Sequence, residues 1–372
     1  MSVNRSQSKQ EGEGEPTPVL GLTKPQLRPI VEKIAGEAVA SFDVRIEHQI
    51  TGHHGYGGAK VIPTFAYLTR SVRAGEATAF VKALGDGDRT EMRNYLALTA
   101  LGAPVPKPYG IVVSSDGLEL IFLEYVNPVG ECMPFPRFCA DPDRLGQFLA
   151  ALARFNAVRP DGDHAAALTT RTFRGPLEKV PATMDALWER TCAGELGLEL
   201  KRLCRRRRDA LGRLQALALE LIEQVAAMET GLCHNDIAPD GVGWRDGSDE
   251  ALILDLESVG FAPRFADVAE WGGSPEGCPP LCAPRRELAE HYLAHYTRAG
   301  GGPATISELL DESRTLWTAQ TLAMLWFSLH RALDGRVDFT QDPAEGRRVY
   351  RKQLAQELTG LLMRLDGKGD MT

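Results

Sequence analysis

The protein is a chain of 372 residues, of which 43% are hydrophobic and 25% are charged. It is too long for a small binding module, and its composition is that of a folded globular protein rather than a disordered or fibrous one. The formal net charge of −8 argues against a broad nucleic-acid-binding surface, because neutralising phosphates requires a basic face. The same charge is compatible with a cationic substrate.

The sequence carries no signal for export or membrane insertion. It has no run of about 18 uncharged apolar residues, which a membrane-spanning helix would need. Residues 1–18 are polar and predict a disordered tail rather than a signal peptide. The seven cysteines include no Cys-x-x-Cys pair, which disfavours a disulfide framework or a zinc site and indicates the reducing cytoplasm.

The N-terminal third predicts a small antiparallel sheet accompanied by two helices. The helical spacing of Leu27, Ile30, Val31 and Ile34 indicates a helix over residues 24–39. A second helix is predicted over residues 89–101, where Gly102 and two prolines end it. Short β-favourable runs between turn residues predict strands over residues 41–50, 65–72, 78–84, 109–113 and 119–125. Residues 19–126 are therefore predicted to form one lobe.

The rest of the chain, residues 127–372, predicts a mainly helical second lobe. Its Leu- and Ala-rich periodicity indicates helices over residues 143–155, 184–191, 196–226, 285–298 and 306–333. Residues 231–259 are the exception, because two short apolar runs there flank polar, Gly-rich turns and predict short strands with loops between them. The predicted fold class is α+β, in a bilobal arrangement with a sheet lobe and a helical lobe.

Acidic residues within 231–259 are the strongest functional signal. His234 and Asp236 lie in a polar loop after an apolar run, and Asp255 ends a second apolar run, with Glu257 two residues later. An acid on a tight loop can orient a hydroxyl, and an acid at a strand end can hold Mg²⁺, as phosphoryl transfer requires. For any one of these residues alone, stabilising a turn or a strand end is the simpler interpretation.

Taken together, these motifs resemble the aminoglycoside phosphotransferase and choline kinase superfamily, whose fold is protein-kinase-like. That family has His-x-Asp in its catalytic loop and an apolar-apolar-Asp-x-acid metal strand, and both patterns are present here in the family's order. The resemblance implies that Asp236 is the catalytic base, that His234 organises the loop, and that Asp255 binds Mg²⁺. It also implies ATP as the phosphoryl donor.

The N-terminal lobe contains residues that match the nucleotide side of such a site. Lys82 lies in a predicted strand and Glu91 begins the next predicted helix, an order in which kinases hold a phosphate-binding Lys. The resemblance further implies that backbone groups near Glu124 and Val126 bind adenine. The Gly-rich residues 52–58 could approach phosphates, although they form neither a Walker motif nor a clean G-x-G-x-x-G, and a flexible hairpin is an equal alternative.

One position departs from the family pattern. Gly241 occupies the place of the metal-binding Asn, and glycine has no side-chain ligand for Mg²⁺. Asp240 or Glu257 could supply the missing oxygen. The alternatives are a single metal held mainly by Asp255, or a degenerate kinase that binds nucleotide as a scaffold without catalysis.

Signals for the acceptor are weaker. Aromatic residues of the last helices could cage a quaternary ammonium group, but helical periodicity favours a core role. Asp267, Glu270, Asp311 and Glu312 could attract a polycation, or could simply be solvated. The basic run Arg205, Arg206, Arg207 and Arg208 could dock an acidic peptide, or could form a solvated helix face. A small-molecule hydroxyl of the aminoglycoside or amino-alcohol type is the first acceptor class, and Ser or Thr of a precursor peptide is the second.

Overall fold

The structure is a computed structural model that describes residues 17–50, 59–84, 89–129, 141–237, 241–273, 286–335 and 342–366. The chain divides into two compact units. The first contains the described residues up to Met92 together with Lys107–Tyr125. The second contains Arg93–Pro106 and the described residues from Val126 onward. Most of the predicted tail, residues 1–16, lies outside the described residues.

The N-terminal unit is built on a five-stranded sheet. Helix α1 (Lys24–Ala35) precedes it, and helix α2 (Thr90–Ala100) begins in this unit. The sheet has the order β1-β2-β3-β5-β4, and all its neighbouring strands are antiparallel. Its strands are β1 (Val39–Ile50), β2 (Lys60–Thr69), β3 (Ala74–Ala83), β4 (Pro108–Val113) and β5 (Glu119–Glu124).

The alternation of side chains along β3 positions its lysine. Ala79, Val81 and Ala83 belong to the apolar core that the buried face of α1 covers. Because successive side chains of a strand point to opposite faces, Lys82 lies on the other face of the sheet. The apolar residues of β3 therefore fix the direction of the one cation in its second half.

Helices dominate the C-terminal unit. They are α3 (Pro142–Asn156), α4 (Gly162–Ala167), α5 (Arg174–Glu178), α6 (Val180–Ala193), α7 (Leu198–Arg206), α8 (Arg208–Ala226), α9 (Ala266–Gly273), α10 (Arg286–Arg298), α11 (Ile306–Asp334) and α12 (Pro343–Leu365). Long helices such as α11 bury apolar residues on several sides, since α9, α10 and α12 all pack against it. No helix in the described part of the chain is long and apolar enough to span a membrane.

Short strands form two small sheets among these helices. They are β6 (Asn127–Pro128), β7 (Thr169–Thr170), β8 (Thr230–Cys233), β9 (Val242–Trp244), β10 (Ala251–Ile253) and β11 (Gly260–Pro263). One sheet has the order β10-β9-β6 and the other β7-β11-β8. Gly260 permits the second sheet, because a Cβ at this position would lie 2.4 Å from Thr169 O on β7. The loops that follow β8 and β10 carry the acids singled out in the sequence.

The predicted α+β class, with a small antiparallel sheet and a mainly helical part, is confirmed. The helix prediction does not include the short helices α4, α5 and α9, and it is wrong for two longer segments. The helix expected over residues 196–226 is divided at Arg207, whose φ of −127° and ψ of 28° interrupt the helical backbone. Helix α12 was not predicted, since charged residues dominate its first half and its buried apolar face begins only at Leu354.

Candidate active site

A buried ion pair joins β3 to α2 in the N-terminal unit. Lys82 Nζ lies 3.0 Å from Glu91 Oε2, and the two side chains are only 9% and 6% exposed. Glu91 stands in the first turn of α2, where the helix dipole favours a carboxylate. An ammonium group held in this way is a positive charge at a fixed position, which suits a phosphate oxygen. The structure thus pairs the Lys and the Glu that the sequence singled out.

Glu124 and Val126 stand where the chain passes from the first unit to the second. The Glu124 N–H donates to Lys107 O at 2.8 Å, and its Oε2 accepts from the Lys107 N–H at 3.1 Å. The sheet therefore already uses the Glu124 N–H, so the adenine contact predicted from the sequence would need another backbone group. Val126 is buried in the C-terminal unit.

His234 connects the loop after β8 to the end of β10. Its ring is fully buried, and Nε2 lies 2.7 Å from Leu254 O. Because a carbonyl oxygen can only accept, Nε2 carries the proton and donates to Leu254. Among the described residues, Nδ1 has no hydrogen-bond partner. Leu254 directly precedes Asp255, so His234 ties the loop of Asp236 to the backbone that carries the second acid.

Asp267, the second residue of α9, binds the backbone of the same loop. Its fully buried carboxylate accepts hydrogen bonds from the N–H of His234 at 2.7 Å and the N–H of Asn235 at 2.9 Å. A third bond comes from Asn156 Nδ2 at 2.7 Å, and Tyr292 Oη in turn donates to Asn156 Oδ1 at 3.0 Å. Three donors compensate the charge that burial would otherwise penalise. Asn235 adopts a left-handed backbone with φ of 68°, which this set of bonds stabilises.

Asp236 is the loop residue that faces solvent. Although the residue as a whole is exposed, protein around its carboxyl group raises the pKa of Asp236, chiefly by desolvation. The negative charges of Asp255 and Glu257 raise this pKa further, whereas His234 and Arg171 oppose the rise. A carboxylate with a raised pKa is a better proton acceptor, as a general base requires.

Arg171 supports the loop from another direction. It follows β7, and its Nη1 donates to Asn235 O at 2.6 Å. The Arg171 N–H also donates to Phe261 O on β11, which holds the residue against the small sheet. Arg171 therefore both fixes the backbone next to Asp236 and places a positive charge near its carboxylate.

The acids after β10 lie in an unusual turn. Asp255 has φ of 56° and ψ of 63°, a left-handed conformation that is costly for a residue other than glycine. Its N–H donates to Tyr95 Oη at 3.1 Å, and Asn94 Nδ2 donates to Leu256 O at 2.8 Å. Two side chains of α2 thus hold the turn in place, and both Asp255 and Glu257 point to an exposed surface.

The oxygen donors of this turn fit a hard divalent cation. Carboxylate oxygens of Asp255 and Glu257 lie within 4.8 Å of one another, close enough to share one ion. Mg²⁺ prefers such oxygen ligands. Asp240 lies outside the described residues, as do the Gly-rich residues 52–58. At Gly241, an added Cβ would meet Ile237 at 3.7 Å and Leu254 O at 3.9 Å, which are ordinary contacts. Packing therefore does not require glycine there.

The acids proposed to attract a polycation have other roles in the structure. Asp267 is wholly buried beneath the loop, so the expectation of a solvated or substrate-facing acid is wrong for this residue. Glu312 Oε1 pairs with Arg264 at 3.0 Å, and Asp311 Oδ1 pairs with Arg314 at 3.1 Å. Glu312 is thus a largely buried partner of Arg264, whereas Asp311 is 67% exposed and is a solvated surface acid. The side chain of Glu270 lies outside the described residues.

The aromatic residues of the last helices are mostly core. Tyr292 and Tyr296 are buried and stack at 5.8 Å, with Phe265 edge-on to both. Trp317 is 6% exposed, whereas Trp326 is 42% exposed. Core packing thus accounts for most of this set. Tyr292 has the additional task of bonding Asn156 within the support of the loop.

Sequence reasoning missed the supporting residues of the loop. Asn156, Arg171 and Tyr292 are separated from Asp236 by 80, 65 and 56 positions respectively, and no local motif marks them. The sequence indicated Asp267 only as an acid that could attract a polycation, and its spacing from the loop did not reveal that it is buried. The burial and the bonds are tertiary facts, which required the structure.

Comparisons with known proteins agree with this arrangement. The sequence model of the phosphotransferase enzyme family matches residues 88–309, which is more than half of the chain. No curated protein is detectably similar to the chain in sequence.

Two solved structures of similar fold are informative. A protein of Ralstonia eutropha JMP134, provisionally named an aminoglycoside phosphotransferase, is 16% identical, with a TM-score of 0.52 over 89% of this chain and 96% of that one. The GDP complex of aminoglycoside 2′-phosphotransferase-IIIa is 13% identical, with a TM-score of 0.50 over 89% and 95% of the two chains. At these identities the likeness establishes the protein-kinase-like fold. The matched family model and the fold together show that the chain belongs to the phosphotransferase enzyme family.

Proposed function

We propose that the protein transfers the γ-phosphoryl group of ATP, with Mg²⁺, to a hydroxyl group of a small molecule. One observation carries the proposal: a buried carboxylate, Asp267, braces a loop that exposes Asp236, whose proton affinity responds to Asp255 and Glu257. This is an acid–base group close to a pair of metal-binding carboxylates, which is the equipment of phosphoryl transfer.

In this proposal Asp236 accepts the proton of the acceptor hydroxyl. The acceptor oxygen then forms a bond to the γ-phosphorus as the bond between that phosphorus and the bridging oxygen breaks, so the products are a phosphate ester and ADP. His234 and Asp267 act on the loop backbone and keep Asp236 at its position. Most of the rate enhancement comes from positioning and from stabilisation of charge.

Lys82 is proposed to bind phosphate oxygens of the nucleotide, with Glu91 holding its ammonium group. The near-complete burial of the pair supports this role, because a charge in a low-dielectric setting interacts strongly with an incoming anion. Glu124 and Val126 are proposed to flank the adenine. The assay below compares ATP with GTP as the donor, because one solved structure of similar fold is a GDP complex.

Asp255 is proposed as the principal metal ligand, with Glu257 as the second. When bound, Mg²⁺ neutralises charge on the β- and γ-phosphate oxygens. Asp240 remains a further candidate ligand from the sequence. The open Cβ position at Gly241 supports a metal site with one amide ligand fewer than the family pattern.

An aminoglycoside or amino alcohol is the acceptor class we favour. The support is the net charge of −8 and the exposed carboxylates near Asp236, which attract a cationic molecule. Both solved relatives cited above are named as aminoglycoside phosphotransferases. A peptide Ser or Thr is the second candidate, and an arginine-lined groove described below favours it. A nucleotide-binding scaffold is the third, and Gly241 is the observation in its favour.

The test is a spectrophotometric assay of ADP formation with Mg²⁺ and ATP or GTP. Acceptors are an aminoglycoside mixture, choline, ethanolamine and a Ser/Thr-rich peptide, and mass spectrometry identifies the product. We expect acceptor-dependent ADP formation that falls by about 10²–10⁴-fold in Asp236→Asn. Asp163→Asn, an exposed Asp in the first turn of α4, is the matched control and should retain wild-type rates. Full turnover in Asp236→Asn would contradict the assignment of the base.

A further inference from the structure

A groove lies between α7, with Arg207 directly after it, and the end of α12, and it shares no lining residue with the loops of Asp236 and Asp255. Its volume is about 750 Å³. Leu203 and Leu362 form part of its wall, and Leu362 is 4% exposed. Two further apolar residues are open to water, with Leu198 72% exposed and Met363 40% exposed. Apolar side chains of this size at a concave surface favour a partner that covers them.

The groove also carries a small excess of positive charge. Arg202, Arg206 and Arg207 line it, against the acids Glu199 and Asp366. This local excess of positive charge occurs in a chain whose net charge is −8. Arginines beside exposed apolar groups form a surface that is complementary to carboxylates beside apolar groups.

The structure narrows the docking prediction made from the sequence, which named Arg205, Arg206, Arg207 and Arg208. Arg206 and Arg207 line the groove. Arg208 instead lies over the Trp188 ring at 4.9 Å, and Arg205 is exposed on α7 without lining the groove. Arg202, which the prediction omitted, takes their place because it stands one helical turn before Arg206.

The walls of the groove are held in position. Arg207 forms an ion pair with Asp366, and Arg213 donates to Leu365 O at 2.7 Å. Both contacts tie the end of α12 to the α7–α8 region. A groove with fixed walls loses little conformational entropy when it is filled, which favours binding.

We propose that this groove docks an acidic, amphipathic segment of another polypeptide, whose apolar side chains enter the groove and whose carboxylates meet Arg202 and Arg206. A nucleic acid fits less well, because its phosphates cannot use the apolar wall that Leu203 and Leu362 help to form. A lipid surface also fits less well, since a concave site receives side chains whereas a bilayer needs a protruding apolar face. The proposal is independent of the proposed catalysis, because docking requires no turnover.

The experiment is fluorescence anisotropy with the full chain and a labelled two-heptad helical peptide that has Leu on one face and Glu on the other. We expect saturable binding to the wild type. The double variant Arg202→Glu/Arg206→Glu should bind at least about tenfold more weakly. Arg205→Glu removes a cation from the same helix but not from the groove, and should change the affinity by less than about twofold. Circular dichroism melting verifies that each variant is folded.

Three further probes distinguish the proposed partner from others. A peptide in which Ser replaces every Leu should bind at least about tenfold more weakly, because it cannot fill the apolar part of the groove. A single-stranded DNA of equal charge and vesicles containing anionic lipid should not compete with the labelled peptide. The proposal is overturned by absent peptide binding, by equal losses in the Arg205 and Arg202/Arg206 variants, or by preferred binding of DNA or vesicles.

Discussion

Two buried carboxylates, Glu91 in the N-terminal unit and Asp267 in the C-terminal unit, have their charges compensated in different ways. Glu91 forms an ion pair with Lys82 at 3.0 Å. Asp267 has three N–H donors, two from the loop backbone and one from Asn156. The ion pair presents a charge to a ligand, whereas the hydrogen-bonded carboxylate holds a backbone in shape. The role of a buried acid in this protein therefore follows from its partners and not from its charge alone.

The largest effect should follow from Asp267→Asn. An amide retains one acceptor oxygen but turns an NH₂ group toward N–H donors of the loop, so at least one charge-assisted bond is lost. We expect the free energy of unfolding to fall by about 3 kcal/mol and kcat to fall by about 10²-fold. Urea unfolding and the ADP assay measure the two quantities. A fully active Asp267→Asn protein would show that the brace is not needed.

The ion pair should behave differently, because both of its members can be replaced together. Lys82→Met removes the cation paired with the buried Glu91 carboxylate and should lower the free energy of unfolding by about 3 kcal/mol. The double variant Lys82→Met/Glu91→Leu should recover most of that loss, while both variants lose nucleotide affinity by at least about tenfold. Urea unfolding with ATP calorimetry tests this. A double variant as unstable as Lys82→Met would mean that the pair is not a self-contained unit.

Glu357 on α12 supplies the third case, a buried carboxylate with weak partners. Oε1 accepts from Ser328 Oγ at 3.1 Å and Gln353 Nε2 at 2.9 Å, and Oε2 has no hydrogen-bond partner within the described ranges. Burial raises the pKa of Glu357 from 4.5 to about 7, against the lowering effect of Gln353 and Ser328.

An acid whose pKa is raised in the folded state stabilises the protein at pH values below its unfolded-state pKa. This contribution is lost as the pH rises through the folded-state pKa. Stability should therefore fall between about pH 4.5 and pH 7, by on the order of 2 kcal/mol. Glu357→Gln should remove this fall, and thermal melting across the pH range measures it. Glu345→Gln, in the first turn of the same helix with its side chain 41% exposed, should leave the fall in place. An unchanged profile in Glu357→Gln would contradict the assignment.

Arg171 tests how far the loop depends on charge as well as shape. Arg171→Met removes the bond to Asn235 O and a positive charge that lowers the pKa of Asp236. We expect kcat/KM to fall by about tenfold and its acidic limb to move to higher pH, because the base becomes protonated more readily. Arg171→Lys, which keeps the charge, should restore the position of the limb. A pH–rate profile that does not move would leave Arg171 with a structural role alone.

Gly241→Asn should have the smallest effect, and it should improve Mg²⁺-dependent activity rather than impair it. The Cβ position is open, so we expect a change in unfolding free energy of less than about 1 kcal/mol. An added amide oxygen near the proposed metal ligands should lower the Mg²⁺ concentration for half-maximal activity by about threefold. A magnesium titration of the ADP assay measures this. No shift in either direction would show that position 241 does not reach the metal.

Much of the fold could be predicted from the sequence because its signals are local. The β-favourable run of β3 and the helical spacing in α1, α3 and α11 lie within single segments, and each predicted its element to within a few residues. The interruption at Arg207 could not be predicted in the same way, since the apolar periodicity continues across it from Cys204 to Leu211.

The residues of the candidate site likewise fall into those that a local motif marks and those whose roles depend on tertiary contacts. Lys82, Glu91, His234, Asp236 and Asp255 could be selected because each stands in a short motif. The role of Asp267 could not, because its partners come from α3 and the loop after β8, and its burial depends on the packing of α9. The left-handed conformation of Asp255 likewise depends on Tyr95, a residue of α2 that is distant in the chain.

The most direct test of the proposed site is nucleotide binding by isothermal titration calorimetry, with ATP titrated in Mg²⁺ and in EDTA, on the wild type and on Asp255→Ala. We predict tight binding to the wild type in Mg²⁺, weakened by at least about tenfold both by EDTA and by the loss of Asp255. Binding that is absent, or that is indifferent to Mg²⁺ and to Asp255, would contradict a metal-dependent phosphotransferase site in this protein.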